Sequence, residues 1–232
     1  MEHNTDLDVI AIADHDNIQG GLLARELAEK YNYRFEVIVG TEITTLDGHL
    51  LALFLEGPVP SFRSLAKTIE AVRAQGGICV VPHPLSWLTT SVGKGTLDKV
   101  TQGVFSDISL DALETSNSSF AGRITRKRVR RLNDEIYQLA ETGGSDAHML
   151  EMIGSSLTMF PGRTAEDLRR NLLSKGTSSL VVPGRDMLSG RQMTVALLSW
   201  RLLRILLKGL FLYPPKLAYR SVRKVLEVSS KL

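Results

Sequence analysis

Residues 9–21 read VIAIADHDNIQGG. The apolar and small residues VIAIA are typical of a buried strand, and they run directly into Asp14, His15 and Asp16. A soluble core does not bury three ionisable side chains without partners, because each unpaired charge costs free energy. The triplet is therefore expected at the open end of a strand, either in water or beside a cation, with a helix following it.

Short apolar runs alternate with helical patterns along residues 1–184, and they predict an α/β fold. Continuous apolar strands covered by helices favour a parallel sheet, which fits an open doubly wound sheet or a closed (β/α) barrel. Ser61 and Thr164 have the character of helix N-caps, and Asp167 stands at capping-box spacing after Thr164. The predicted strands are 8–13, 35–41, 49–55, 78–81, 108–114 and 156–160, and the predicted helices are 17–31, 61–75, 123–133 and 164–174.

Charge and cysteine content divide the chain and indicate its compartment. Residues 1–184 contain 18 Lys and Arg against 23 Asp and Glu, whereas residues 185–232 contain 10 against 2. We therefore expect a domain over 1–184 and a basic tail over 185–232.

The single cysteine, Cys79, lies in the apolar run ICVV and is expected in the core. One thiol builds no disulfide framework, and the start MEHNTDLDV has no signal-peptide pattern, so we expect a cytoplasmic protein.

Four of the apolar or small runs end on side chains that bind metals. The run VIAIAD leads to His15, FEVIVGTE to Glu42, ICVVPHP to His83, and LAETGGSDAH to Asp146 and His148. Because the carboxyl ends of parallel strands share one face of a sheet, these residues are expected to converge there.

His49 is expected to reach the same rim from the strand HLLALFL, seven residues after Glu42. The alternative for any single histidine is a hydrogen-bonded structural role, and a carboxylate at a strand end often caps a helix. However, four of the five histidines lie at these places, and only His3, in the polar terminus, is expected to be solvated. Imidazoles and carboxylates without thiolates suit Zn²⁺, Mn²⁺ or Fe²⁺ and do not distinguish them.

Six segments resemble, in order, the PHP (polymerase and histidinol phosphatase) domain over roughly residues 6–160. They are LDVIAIADHDNIQG, VGTEIT, GHLLALF, VVPHP, LETSN and GGSDAH. The segment from Ile153 to Gly176 is similar to the one that follows the domain in stand-alone members. The resemblance implies a distorted (β/α)₇ barrel of TIM-like type, a centre of up to three metal ions, and hydrolysis of phosphate esters by metal-activated water.

The resemblance also implies individual roles. His15 and His148 would hold the third ion, Glu42 would bridge the first and second, and Asp146 would bind the first. His49 and His83 would complete the second ion's ligands. Catalysis would depend on His15, Glu42, His83, Asp146 and His148. Asp14 and Asp16 would orient His15 or simply hydrogen-bond the backbone, and Asn117 in LETSN would lie near the site or cap a helix.

One family feature has no counterpart here, namely the opening strand with its His-x-His motif. The sequence is therefore expected to represent a barrel without its first strand, to bind fewer than three ions, and to be weakly active or inactive. A start assigned at an internal Met explains this best, and a remnant that no longer catalyses is the alternative. An upstream reading frame encoding His-x-His would separate the two.

Two basic segments suggest partners. Residues 123–135 hold six Lys and Arg, of which Arg123 and Arg126 are candidates to bind a substrate phosphate. The alternative is a solvated helix face. Residues 194–228 read as two basic amphipathic helices, a C-terminal helical extension that suits an anionic membrane surface. The alternative is packing on the barrel or on a second subunit.

The predicted function is thus a metal-dependent phosphoesterase acting on small phosphate monoesters or nucleotide-type substrates. One alternative is a catalytically impaired PHP remnant that serves as a membrane-associated interaction module. A second, less favoured alternative is a nuclease that binds nucleic acid through residues 123–131. The substrate, the metal and the oligomeric state stay open.

Overall fold

The structure is a computed structural model that describes residues 2–104 and 108–183. The basic tail predicted at 185–232, and the two amphipathic helices expected in it, lie outside the described residues. Over the described residues the chain alternates strands and helices, and the predicted α/β class is confirmed.

Eight strands and five α-helices are described, and their bounds are β1 Val9–Ile12, α1 Gln19–Lys30, β2 Glu36–Thr45, β3 Gly48–Leu53, α2 Leu65–Ala74, β4 Ile78–Val81, α3 Lys94–Thr101, β5 Ala112–Asn117, α4 Phe120–Leu132, β6 Ala140–Gly144, β7 Ser156–Met159, α5 Ala165–Leu173 and β8 Ser178–Val181. A five-residue π-helical segment, Asn133–Tyr137, continues α4, and a short 3₁₀ turn, Leu150–Met152, precedes β7.

The first six strands form one sheet in sequential order, and the sheet curls into half a barrel. Strands β1 and β2 are parallel, as are β4, β5 and β6. Strands β7 and β8 form a separate antiparallel pair. This arrangement agrees with a TIM-like fold, whereas a closed seven-unit barrel stays a prediction.

The sheet departs from the expected parallel arrangement at β3, which runs antiparallel to both β2 and β4. The reason is the two-residue connection between Thr45 and Gly48, since a parallel crossover needs a dozen residues or more. Gly48 has φ +132°, and a Cβ there would lie 2.4 Å from the backbone nitrogen of Val92, so only glycine fits this turn.

Several predicted boundaries also shift. The strand expected at 108–114 begins only at Ala112, and helix α2 begins at Leu65 rather than near Ser61. Its N-cap is Ser64, because the Ser61 hydroxyl bonds to the Asp16 carboxylate instead. The capping box of Thr164 and Asp167 at the start of α5 is confirmed. Strands β6 and β8 and helix α3 were not among the predicted elements.

The core lies between the curled sheet and its helices. Its largest fully buried side chains include Ile43 and Leu50 from the β2–β3 hairpin and Ile69 from α2. Burying each such side chain contributes about 1.5–3 kcal/mol. Cys79 is fully buried in β4, which confirms its predicted place in the core. Among the described residues, none of the helices has the length and apolar character that crossing a lipid bilayer requires.

Candidate metal centre

The triplet that follows β1, Asp14 to Asp16, stays paired with the neighbouring strand β2, and this pairing places His15 beside Glu42. The Asp14 carbonyl accepts the Glu42 N–H at 3.0 Å, and the Asp16 N–H donates to the Glu42 carbonyl at 3.0 Å. His15 and Glu42 consequently form an isolated parallel bridge. The ionisable triplet thus lies at a strand's open end, as the sequence predicts.

Glu42 is the hub of the site. Its Oε1 lies 2.6 Å from Nδ1 of His49 and 2.9 Å from Nε2 of His83. Its Oε2 lies 3.7 Å from Nε2 of His15. Three imidazoles from three different parts of the chain therefore surround one carboxylate that is itself only 13% exposed.

Burial and hydrogen bonding act in opposite directions on the pKa of Glu42. Burial raises it, but the contacts with His49 and His83 outweigh burial and hold the pKa of Glu42 far below its usual range. Burial likewise lowers the pKa of His83, while Glu42 more than compensates and raises the pKa of His83 to about 9. Without a cation, the pair therefore carries opposite charges at neutral pH.

Both ring nitrogens of His83 have partners. Its Nδ1 lies 2.9 Å from the Ser91 hydroxyl and 3.3 Å from the Thr89 hydroxyl, and its backbone adopts φ +30°. Positive φ is uncommon for a residue with a side chain and persists where the surroundings impose it. The ring is 4% exposed. With Nδ1 held by these hydroxyls, Nε2 is the nitrogen directed at Glu42.

Glu114 supports His83 and was missed from the sequence, although it lies within the quoted motif LETSN. Its Oε2 accepts the backbone N–H of His83 at 2.6 Å and the Asn117 amide at 2.7 Å. Burial raises the pKa of Glu114 to about 7, against the opposing influence of the His83 charge. A carboxyl inside an otherwise uncharged strand was the available signal.

Asn117 lies beside the site, and the helix-cap role weighed as its alternative falls to Ser119. The Asn117 amide bonds Glu114, and its Oδ1 accepts the Ser119 N–H at 2.7 Å, one residue before α4. Ser119 itself is the N-cap of that helix. Asn117 therefore joins the site to the start of α4.

Asp146 and His148 are placed differently from each other. Asp146 has φ +49°, and its charge lies near enough to raise the pKa of His83 and that of Glu114. His148 is 75% exposed, and its Nδ1 contacts the Asp146 carbonyl oxygen at 3.0 Å. Among the described residues, His148 is outside the cluster around Glu42, so its pairing with His15 at a third ion stays a prediction.

Asp14 and Asp16, the acidic neighbours of His15, accept hydrogen bonds from residues of β2. Burial raises the pKa of Asp16, but hydrogen bonds from Ser61 and Thr44 lower it overall. Its carboxylate accepts the Thr44 N–H at 2.7 Å, which fixes the connection between β1 and β2. Asp14 contributes its carbonyl, which accepts from Glu42 and from Thr41.

Of the two predicted phosphate-binding residues, Arg126 lies in a groove between α4 and β8. The groove has a volume of about 420 Å³, and its lining is Arg126, Lys127, Arg130, Ser179, Leu180 and Val181. The Thr115 hydroxyl contacts Ser179 at 2.7 Å, whereas the preceding residue of the same strand, Glu114, contacts His83. Arg123 is half-buried, near the start of α4.

The donors around Glu42 fit a divalent cation. One donor atom each of His15, Glu42 and His49 lies within 4.8 Å of the other two. Two imidazoles and a carboxylate suit Zn²⁺, Mn²⁺ or Fe²⁺. His83 lies outside this group of three, and its Nε2 contacts the same Glu42 oxygen as His49.

Comparisons of the sequence with known proteins find one family model and two relatives. A family model described as PHP-associated matches residues 126–177. The chain is 36% identical over 98 residues to the uncharacterized protein MJ1587 of Methanocaldococcus jannaschii, covering 42% of this chain and 56% of the relative. It is 28% identical over 153 residues to MJ0417 of the same organism, covering 66% and 57%. The chain thus spans just over half the length of these relatives.

One solved structure shares the fold. It is a two-domain protein from Bacteroides vulgatus containing a predicted PHP-like metal-dependent phosphoesterase, with a TM-score of 0.60 and 19% identity. The similarity covers 77% of this chain and 57% of that protein. Together with the PHP-associated match, this likeness confirms the predicted resemblance to the PHP family.

Proposed function

We propose that this PHP-domain protein is a metal-dependent phosphoesterase. The observation that carries the proposal is the arrangement of His15, His49 and His83 around the buried carboxylate of Glu42. A donor set of this kind is expensive to assemble without a ligand, because buried ionisable groups need partners. Small phosphate monoesters and nucleotide-type compounds are the proposed substrates.

The protein's own residues prepare the site for a cation and a phosphate. His49, His83 and Glu42 would hold the ion, and the Ser91 hydroxyl behind His83 fixes the orientation of that ring. His15, whose side chain is 45% exposed, forms the open side of the cluster. A bound divalent cation supplies Lewis acidity toward the phosphate ester. Asp146 and His148 are proposed to approach it from the loop after β6.

Metal binding is the direct test. Isothermal titration of the full chain with Mn²⁺ should show saturable binding, and Glu42→Gln and His83→Ala should each weaken it at least tenfold while circular dichroism stays unchanged. His3→Ala is the matched control, because His3 is an exposed histidine in the N-terminal turn. Equal binding by the wild type and Glu42→Gln would contradict the proposal.

Hydrolysis is the second test. Phosphate release from a panel of sugar phosphates, aryl phosphates and nucleoside monophosphates should require Mn²⁺ or Zn²⁺ and should fall by orders of magnitude in His83→Ala. If metal binds but none of these esters is hydrolysed under any condition, the alternative of an impaired PHP remnant is favoured.

Two exposed aromatic side chains favour substrates with an organic group. Phe62 is 62% exposed and follows Ser61, which bonds Asp16 beside His15. Trp87 is 70% exposed and follows His83 by four residues. Because aromatic faces stack on nucleobases, Phe62→Ala and Trp87→Ala should raise KM for nucleotides more than for glycerol phosphate.

The groove between α4 and β8 favours a second candidate function, the processing of nucleic acid. Arg126, Lys127 and Arg130 line it, and only Arg130 is tied to β8, through the carbonyl and hydroxyl of Ser179. Binding of a labelled oligonucleotide should then fall steeply with salt and be lost in Arg126→Glu with Lys127→Glu. Unchanged binding in that variant would exclude the groove.

The basic tail carries a separate proposal, contact with an anionic membrane. Arg201, Arg204 and Lys208 recur at helical spacing in an otherwise apolar stretch. The full chain should sediment with vesicles containing phosphatidylserine but not with neutral vesicles. Replacing all three cations with Glu should abolish sedimentation, and persistence would contradict the proposal.

A further inference from the structure

The buried carboxylate of Glu114 is not one of the donors described above, yet it bonds the backbone of His83, whose imidazole contacts Glu42. Its side chain is in the core of the sheet, and the whole residue is 6% exposed. Among the described residues, the group of donors within mutual reach consists of His15, Glu42 and His49 and does not include Glu114. Burying a carboxyl costs free energy, so its position needs a reason.

The contacts of Glu114 supply that reason. Its Oε2 accepts two hydrogen bonds, from the His83 N–H at 2.6 Å and from the Asn117 amide at 2.7 Å. The first is a short bond to a backbone group of a residue that adopts φ +30°. A non-glycine residue keeps such a conformation only when its surroundings impose it.

The surrounding sequence makes room for this carboxylate. A Cβ on Gly144, in the neighbouring strand β6, would lie 1.7 Å from Oε1 of Glu114. Asn117 is in turn fixed by donation from Ser119 to its Oδ1. The carboxylate is therefore confined on both sides and cannot relax away from His83.

We propose that Glu114 is a positioning residue, whose carboxylate fixes the backbone of His83 and so directs its imidazole Nε2 at Glu42 and at the cation they share. The effect on metal binding rests on the proposed function, whereas the effect on His83 does not. Glu114 acts through His83 and not as a ligand, since its Oε2 is already engaged by two donors.

The metal arm of the test is a double-mutant cycle in the full chain, with Mn²⁺ affinity as the readout. Glu114→Ala should weaken Mn²⁺ binding about 10–100-fold, the usual effect of removing a partner behind a ligand. Glu114→Gln keeps an acceptor oxygen and should lose less. In a His83→Ala background, Glu114→Ala should change affinity less than about threefold, because its target is gone.

Glu141→Ala is the matched control. Glu141 lies opposite Leu113 in the adjacent strand, and its carboxylate also accepts a backbone N–H, that of Ser179 at 3.3 Å. Its replacement should leave Mn²⁺ affinity unchanged. An equal loss in Glu114→Ala with and without His83, or no loss at all, overturns the proposal.

The metal-free arm is amide hydrogen exchange at His83, followed by NMR. Losing a bond to a carboxylate should speed exchange of the His83 amide about 10–100-fold in Glu114→Ala. If the wild type binds no Mn²⁺, the proposed function fails, and this measurement alone decides whether Glu114 positions His83. If Glu114→Ala does not fold, Glu114→Gln takes its place in both arms, and unchanged affinity and exchange would overturn the proposal.

Discussion

The stability of the metal-free protein is expected to fall as the pH rises from 7 to 9, because of the pair formed by His83 and Glu42. The pKa of His83 is raised from 6.5 to about 9 in the folded protein. A raised pKa means that the stabilisation is complete below pH 6.5 and is lost as the pH passes through 9. The opposite charge on Glu42 is present throughout this range, since its pKa is lowered.

The magnitude follows from the number of protons involved. Between pH 7 and 9 the folded state holds about one more proton than the unfolded chain, which corresponds to about 1.4 kcal/mol per pH unit. The expected loss in the free energy of unfolding is therefore about 2–3 kcal/mol. Glu114, whose pKa is raised to about 7, contributes mainly below this window and with the same sign.

Urea denaturation in EDTA at pH 7, 8 and 9, at constant ionic strength, measures this loss. Glu42→Gln is the reference, because it removes the charge that holds the proton on His83 while preserving the size of the side chain. The difference between wild type and variant cancels the titration of unrelated groups, Cys79 included. Parallel pH profiles for the two proteins, or a wild-type stability that rises from pH 7 to 9, would refute this reasoning.

Mn²⁺ should reverse the trend. A cation binds neutral imidazole, so binding releases the proton from His83, and its stabilising effect should grow with pH. The same denaturation series with saturating Mn²⁺ should therefore show a stability that increases toward pH 8.

Three further predictions concern single residues. Cys79 is fully buried, and burial and the nearby charge of Asp111 raise its pKa to about 12. Its thiol should therefore not react with a disulfide reagent until the protein unfolds, and rapid labelling of the native state would contradict its burial. Thr164→Ala should reduce the free energy of unfolding by about 1 kcal/mol through loss of the capping box, with Mn²⁺ affinity as the unaffected control. Gly144→Ala should cost about 1–3 kcal/mol because the new Cβ meets Glu114. Gly95→Ala, in helix α3 with open space around its Cβ, should be neutral or slightly stabilising, and equal stabilities of the two variants would disprove the close contact.

The sequence predicts the place of the cluster better than the details of the sheet. Three ionisable residues after an apolar run have few places other than a strand's open end, and His15 lies there beside Glu42. The strand predicted at 35–41 stops before Glu42, whereas β2 continues to Thr45. Glu42 lies within the strand, and its charge interrupts the apolar pattern that marks strands, so local hydrophobicity could not indicate that the strand goes on.

Long-range contacts were beyond the sequence for a related reason. Glu114 bonds the backbone of a residue 31 positions away, and a backbone N–H leaves no trace in side-chain chemistry. His148 stands two residues after Asp146, a spacing that places both side chains on one face of an extended segment. Asp146 instead has φ +49°, which breaks the extended geometry and leaves His148 bonded to the Asp146 carbonyl.

Exposure differs sharply within the cluster and indicates how a ligand reaches it. The side chains of His49 and His83 are 7% and 4% exposed, whereas that of His15 is 45% exposed. The two buried rings share one oxygen of Glu42, and His15 approaches the other from 3.7 Å. His49 and His83 are thus already in contact with Glu42, whereas His15 is not within hydrogen-bonding distance of it.

Because ligands preorganised by burial lose little entropy on binding, the affinity for Mn²⁺ should depend mainly on His49 and His83. Replacing His15 should then slow turnover of a bound ester more than it weakens Mn²⁺ binding, and a larger effect on affinity than on kcat would show that the exposed ring is a primary ligand.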